Sequence, residues 1–220
     1  MSTVTCDNAG NNGTMMEEIE LELTALGIPF NSQGNRIRYA LTLDPVGAAR
    51  KLVTACRASG QRRETFEKTI MEGNEAGGWG DPPAILRVVG LLKDVETRWS
   101  ATFLMIDRVL EQYQAVDKFL NAPGQEEIAH HSFDPMTLRV LQDIRRFLEI
   151  FHIVQEIVSA EKTPTLSIVL PMYEKLIVML NDLAKDLDEL SHAIKVSVQK
   201  LEEYLSLSRR TKIYSLAMGK

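Results

Sequence analysis

The chain has 220 residues, 45% hydrophobic and 25% charged, a balance that suits a globular protein and not a disordered one. Its formal net charge of -5 argues against a globally basic nucleic-acid binder, and two cysteines, Cys6 and Cys56, cannot build a disulfide framework or a Cys-x-x-Cys zinc site. No apolar run approaches the roughly 18 residues of a membrane span. The opening MSTVTCDNAG has neither the charged start nor the apolar core of a signal peptide, so the expectation is an intracellular protein with no membrane partner.

In chain order, Thr3-Val4-Thr5-Cys6 is a short β-branched run stopped by Asp7-Asn8-Ala9-Gly10-Asn11-Asn12-Gly13, which predicts a strand ended by a turn. Met15, Ile19, Leu23 and Leu26 then fall at helical spacing, with acids loading the first half and Gly27 and Pro29 ending it. Arg36-Ile37-Arg38-Tyr39 predicts a second short strand.

From Val46 the pattern is helical: Val46, Ala49, Val53 and Cys56 form one apolar stripe, and Phe66 and Ile70 mark a second stretch after Gly60. Residues 46–73 carry six basic side chains, Arg50, Lys51, Arg57, Arg62, Arg63 and Lys68, against three acids, a local basic excess in an acidic chain. Gly73-Asn74-Glu75-Ala76-Gly77-Gly78-Trp79-Gly80-Asp81-Pro82-Pro83 reads as a loop and the best internal boundary. Beyond it, Trp99, Phe103, Ile106, Leu110 and Tyr113 trace one stripe and Leu141, Ile144, Leu148, Phe151, Val154 and Val158 another. Thr163 and Pro164 read as a helix start, Pro171 as a kink or restart, and residues 176–201 as a long stripe broken near Ser191. Stripes of this kind bury one another by helix-on-helix packing.

The four histidines, His130, His131, His152 and His192, stand in no recognised metal-ligand spacing and read as ordinary surface or helix-face residues. No phosphate-binding glycine loop and no Gly-x-Ser-x-Gly elbow occurs. Two features carry chemistry. Asp7, at a strand end, suits a hard divalent cation of the kind used in two-metal phosphoryl transfer, and equally suits an Asx turn that caps the next helix. Arg98 and Trp99, within Lys93-Asp94-Val95-Glu96-Thr97-Arg98-Trp99-Ser100, can clamp a phosphate and stack on an unpaired base; the competing reading makes Trp99 a core anchor and Arg98 a partner of Asp94 or Glu96.

The order of these motifs resembles the hAT superfamily of DNA transposases in its fungal form. Thr5-Cys6-Asp7-Asn8-Ala9-Gly10-Asn11-Asn12 resembles the segment bearing the second acid of that family's Asp-Asp-Glu triad, and Gly34-Asn35-Arg36-Ile37-Arg38 the start of the next strand of its RNase H-like fold. Asp94-Val95-Glu96-Thr97-Arg98-Trp99-Ser100 resembles the Arg-Trp motif of the helical insertion that interrupts that fold, and Glu161-Lys162-Thr163-Pro164-Thr165-Leu166-Ser167 a later stretch of the same insertion.

The resemblance implies a mainly α fold: a helical insertion-domain bundle with a short remnant β edge of an RNase H-like fold. Residues 1–45 would be the remnant of the catalytic domain, 46–80 a basic helical segment with its Gly/Pro loop, and 81–220 the helical insertion domain. Asp7 would be a catalytic carboxylate and ligand of Mg²⁺ or Mn²⁺, held unstably by a single acid. Trp99 would stack near a DNA end, supported by Arg98, while Arg62 and Arg63 in the basic stretch add backbone contacts. The first Asp, the Glu and a Cys-x-x-His expected after Arg38 are absent, which implies a truncated transposase-like chain that does not cut DNA, binds it weakly, and is nuclear. The alternative is a non-enzymatic helical scaffold that associates with itself or other proteins through exposed helices.

Overall fold

The computed structural model describes residues 44–95, 99–159, 166–187 and 190–210. Two units divide the chain, Met1–Pro45 and Val46–Lys220, and the helical architecture is that of the second. Asp7 and both expected strands of the β edge lie outside the described residues. Among the described residues the fold is α-helical, with seven α-helices, no strand, and one isolated bridge between Trp79 and Ala84.

The basic segment forms two helices. In α1 (Pro45–Cys56) the stripe Ala49, Leu52, Val53 and Cys56 is buried, as its three- and four-residue spacing predicts. Ser59 caps α2 (Gly60–Glu75), its hydroxyl accepting from the Arg62 N–H at 3.1 Å, and Phe66, Thr69, Ile70 and Gly73 form the buried face.

Helix α2 runs two residues past Gly73, where the sequence suggested a loop. Gly73 is an approach point and not a breaker: a β-carbon there would stand 2.7 Å from Trp79 Nε1 and closer still to the ring carbons. Gly77, Gly78 and Gly80, all at positive φ, reverse the chain so that Trp79 returns to the helix it has just left. The Trp79 and Ala84 backbones exchange two hydrogen bonds of 2.8 Å, and the Lys118 ammonium lies 5.4 Å from the indole centroid.

Residues 85–95 form no regular structure, and side chains satisfy much of their backbone. The Asn74 amide donates to Leu86 O and accepts from Leu86 N, at 2.8 and 2.9 Å. The Gln112 amide donates to the carbonyls of Arg87 and Val89 at 3.0 and 2.9 Å. Arg108 donates to Gly90 O at 3.1 Å, and Arg57 to Leu91 O. Gln112 interrupts what reads in sequence as one helix through Tyr113, separating α3 (Trp99–Glu111) from α4 (Tyr113–Leu120).

A 3₁₀ turn at Ala129–His131 leads to α5 (Pro135–Val158). Asp134 caps α5, accepting from the Thr137 N–H at 2.6 Å, with Pro135 at the first helical position. The last two helices are α6 (Leu166–Asp186) and α7 (Ser191–Arg209), which pack on each other and flank the expected break near Ser191. Pro171 lies inside α6 and does not restart it. In the second turn its missing N–H removes only one intrahelical bond, which the packing of the helix tolerates.

Two cores result. The first joins α1, α2, α3, α4 and Leu141 of α5, and includes Trp79 and Leu91, so residues on both sides of position 80 share it. The second joins Ile150 and Val154 of α5 to Leu176, Leu180 and Leu183 of α6 and Ile194 and Val198 of α7. Helix α5, about 36 Å long at 1.5 Å per residue, spans both. Arg145 of α5 pairs with Asp107 of α3 at 2.6 Å, and Arg146 with Asp186 of α6 at 3.1 Å. No helix among the described residues is long and apolar enough to cross a membrane.

Candidate nucleic-acid interface

The Arg-Trp motif sits at the start of α3. Trp99 is the first helical residue, while Arg98 and the Trp99 side chain lie outside the described part. What the structure defines is the mount on either side. Before the motif, the Asp94 side chain is only 3% exposed, a burial a carboxylate tolerates when paired. Its Oδ2 accepts from Arg50 Nε of α1 at 2.5 Å and its Oδ1 from Thr102 Oγ1 of α3 at 3.0 Å. Asp94 thus ties the incoming chain to both α1 and the first turn of α3, and its arginine partner is Arg50, 44 residues away.

After the motif, the Ser100 hydroxyl lies 3.0 Å from His152 Nδ1 of α5. The His152 ring packs against Phe103 with centroids 4.7 Å apart and planes tilted by 31°. His152 has no local sequence signal for this role; only the approach of α5 to α3 brings it there. Asp94 and Ser100, which flank Arg98 and Trp99 in the sequence, are thus each tied to another helix.

The basic stretch is largely occupied by the fold itself. Arg50 is paired with Asp94, Arg57 with the Leu91 carbonyl, Arg62 with Glu127 at 2.6 Å, and Lys68 with Glu72 at 3.7 Å. Arg62 also reaches Ala55 O at 3.4 Å. Arg63, its neighbour in sequence, is exposed and has no side-chain partner among the described residues. It lines a cleft of about 400 Å³ together with Arg57, Arg108 and Glu67. Arg62 and Arg63 therefore differ in role: one is a brace, the other is free.

His130 and His131 stack at 4.0 Å, and burial, then the His130 and Lys51 charges, hold the His131 pKa below the ordinary imidazole value. Among the described residues no three His, Cys, Asp or Glu side chains converge to hold a metal ion. Asp7, where Mg²⁺ or Mn²⁺ is expected, lies outside the described residues.

No curated protein and no solved structure matches the chain. One family does match, over less than half of the length: residues 40–134 correspond to the ZBED1 RNase-like helical domain. The match takes in α1 to α4 and ends on Asp134, the cap of α5, so it covers most of the first core and stops before the second. Residues 40–134 of this chain are a ZBED1 RNase-like helical domain, the helical domain derived from hAT transposases.

Proposed function

We propose that this is a hAT transposase-type protein whose helical domain presents Arg98 and Trp99 to a DNA end and binds it without cutting. The observation that carries the reading is the double anchorage of the motif, by Asp94 to Arg50 and Thr102 and by Ser100 to His152. An aromatic residue that must meet an unstacked base gains from a fixed backbone, because less order is left to impose on binding. Arg62, held by Glu127, contributes to the domain and not to DNA. Such a protein acts in the nucleus.

Titration of a duplex with a frayed end, followed by fluorescence anisotropy at low salt, tests this. Trp99→Ala is expected to weaken binding about tenfold, the equivalent of one base–aromatic stack, and Arg98→Ala to flatten the salt dependence. Equal binding by wild type and both variants overturns the assignment. Mg²⁺-dependent nicking by the purified protein, abolished by Asp7→Asn, would overturn the absence of cleavage.

A second reading, a scaffold for protein contact, is favoured by apolar exposure on the last two helices. Val178 of α6 and Val196, Tyr204 and Leu207 of α7 are each more than half exposed. Sedimentation across a concentration series separates the readings: association without DNA affinity, abolished by Val178→Asp with Leu207→Asp, selects the scaffold.

A further inference from the structure

The cleft beside Arg63 has the composition of an anion site. Its walls come from the end of α1, the first half of α2, the extended segment near Gly90, and Arg108 of α3. Three guanidiniums, Arg57, Arg63 and Arg108, face one lining carboxylate, Glu67, and with the Glu111 carboxylate that pairs with Arg108 counted the surplus is one positive charge. Two of the three are already immobilised. Arg57 donates to Leu91 O, and Arg108 to Gly90 O at 3.1 Å and to Glu111 at 3.2 Å. Arg57 Nε is buried and has no acceptor among the described residues, an arrangement that folded proteins seldom leave uncompensated. Arg63 is exposed and free to close over an occupant without giving up any partner among the described residues. The floor is apolar, with Phe66 and Leu91 buried.

We infer that this cleft binds a phosphate monoester carried on a compact organic group, as in a nucleoside monophosphate or the terminal phosphate of a nucleic-acid strand. A phosphate monoester at neutral pH carries about -1.5 to -2 charges, which a surplus of positive charge and several guanidinium donors attract. Guanidinium forks match its oxygens in pairs. The volume of about 400 Å³ is several times that of a bare phosphate and lies in the range of small-ligand sites. Cys56, also in the lining, does not oppose an anion: burial pushes its thiol up to about 12, so it stays neutral. The inference goes beyond the DNA-end reading and stands whether or not Arg98 and Trp99 meet DNA.

Isothermal titration of the full chain with deoxyadenosine monophosphate, adenosine and a 5′-phosphorylated single-stranded oligonucleotide tests it. Adenosine, which lacks the phosphate, is expected to bind about tenfold more weakly than the monophosphate or worse. Arg63→Glu, a change at an exposed site whose fold is checked by circular dichroism, is expected to reduce monophosphate affinity about tenfold. Lys195→Glu on α7 is expected to bind like wild type, as is Trp99→Ala, which separates the cleft from the DNA-end motif. An oligonucleotide that binds more tightly than the monophosphate identifies a strand end as the source, and equal affinity identifies the free nucleotide. The inference is overturned if adenosine matches the monophosphate, if Arg63→Glu binds like wild type, or if Lys195→Glu is as damaging as Arg63→Glu.

Discussion

The Trp79 indole fills the space in which a β-carbon of residue 73 would stand, so Gly73 of α2 and Trp79 of the following loop are fitted to each other. Gly73→Ala is expected to destabilise the protein by about 1–3 kcal/mol, the usual range for overpacking a filled core. Urea denaturation checks the figure. In a Trp79→Leu background the same substitution is expected to cost much less, since the clash is gone, and an equal cost in both backgrounds would refute the fit.

Gln112 is fully buried, and its amide nitrogen serves two carbonyls of the extended segment, those of Arg87 and Val89. Gln112→Leu keeps the volume and leaves both carbonyls without this donor. A loss of about 1–3 kcal/mol is expected, with faster amide exchange concentrated in residues 86–92.

Asp94 and Arg50 form a mostly buried pair, and Asp94 also holds Thr102. Asp94→Ala is expected to cost about 2–3 kcal/mol, because it leaves the Arg50 guanidinium without its carboxylate in a half-buried position. A double-mutant cycle with Arg50→Ala should return a coupling of about 1 kcal/mol or more; independent effects would show that Arg50 is not its working partner. The same variant should weaken DNA-end binding if the mount serves Trp99.

Burial pushes the Cys56 thiol up to about 12, against a smaller opposing effect of the Arg62 charge. Alkylation of Cys56, followed by peptide mass spectrometry, is therefore expected to be slow in the native protein at mildly alkaline pH and fast in urea. Rapid native labelling would contradict its 2% exposure.

The Glu111 carboxyl sits below the ordinary carboxylate value, chiefly through its hydrogen bond from Arg87 and also through the charges of Arg87 and Arg108. A depressed carboxylate contributes stability that is present above its unfolded pKa and fades as pH falls through the folded one. Glu111→Gln is expected to flatten the acid limb of a thermal-midpoint profile. Since the Arg87 side of the pair is largely exposed, added salt should shrink the difference between variant and wild type.

Much of the helical architecture is legible in the sequence because periodicity is local. Ala49, Val53 and Cys56 are buried on α1, and the stripe of Leu141, Ile144, Leu148, Phe151, Val154 and Val158 belongs to one helix, α5. Ser191 does stand at a helix boundary, for α7 begins there. Local pattern also misleads: Gly73 reads as the start of a loop, and of the kink or restart that Pro171 suggests the restart does not occur, for both residues lie within helices. In each case tertiary packing outweighs a local preference of about 1–3 kcal/mol.

From the order of the amino acids it follows that the chain is mainly helical, where most helices lie, and that Arg98 and Trp99 stand next to a helix start. How those residues are held, and which basic residues are free, does not follow, because pairing partners are chosen by three-dimensional proximity. Asp94 meets Arg50 across 44 positions, Ser100 meets His152 across 52, and Arg62 meets Glu127 across 65. Folding turns four of the six basic side chains, Arg50, Arg57, Arg62 and Lys68, into braces, leaves Lys51 and Arg63 exposed, and places Arg63 beside Arg57 and Arg108. Charge is counted along a chain, but the field a ligand meets is set by which charges the fold has already neutralised.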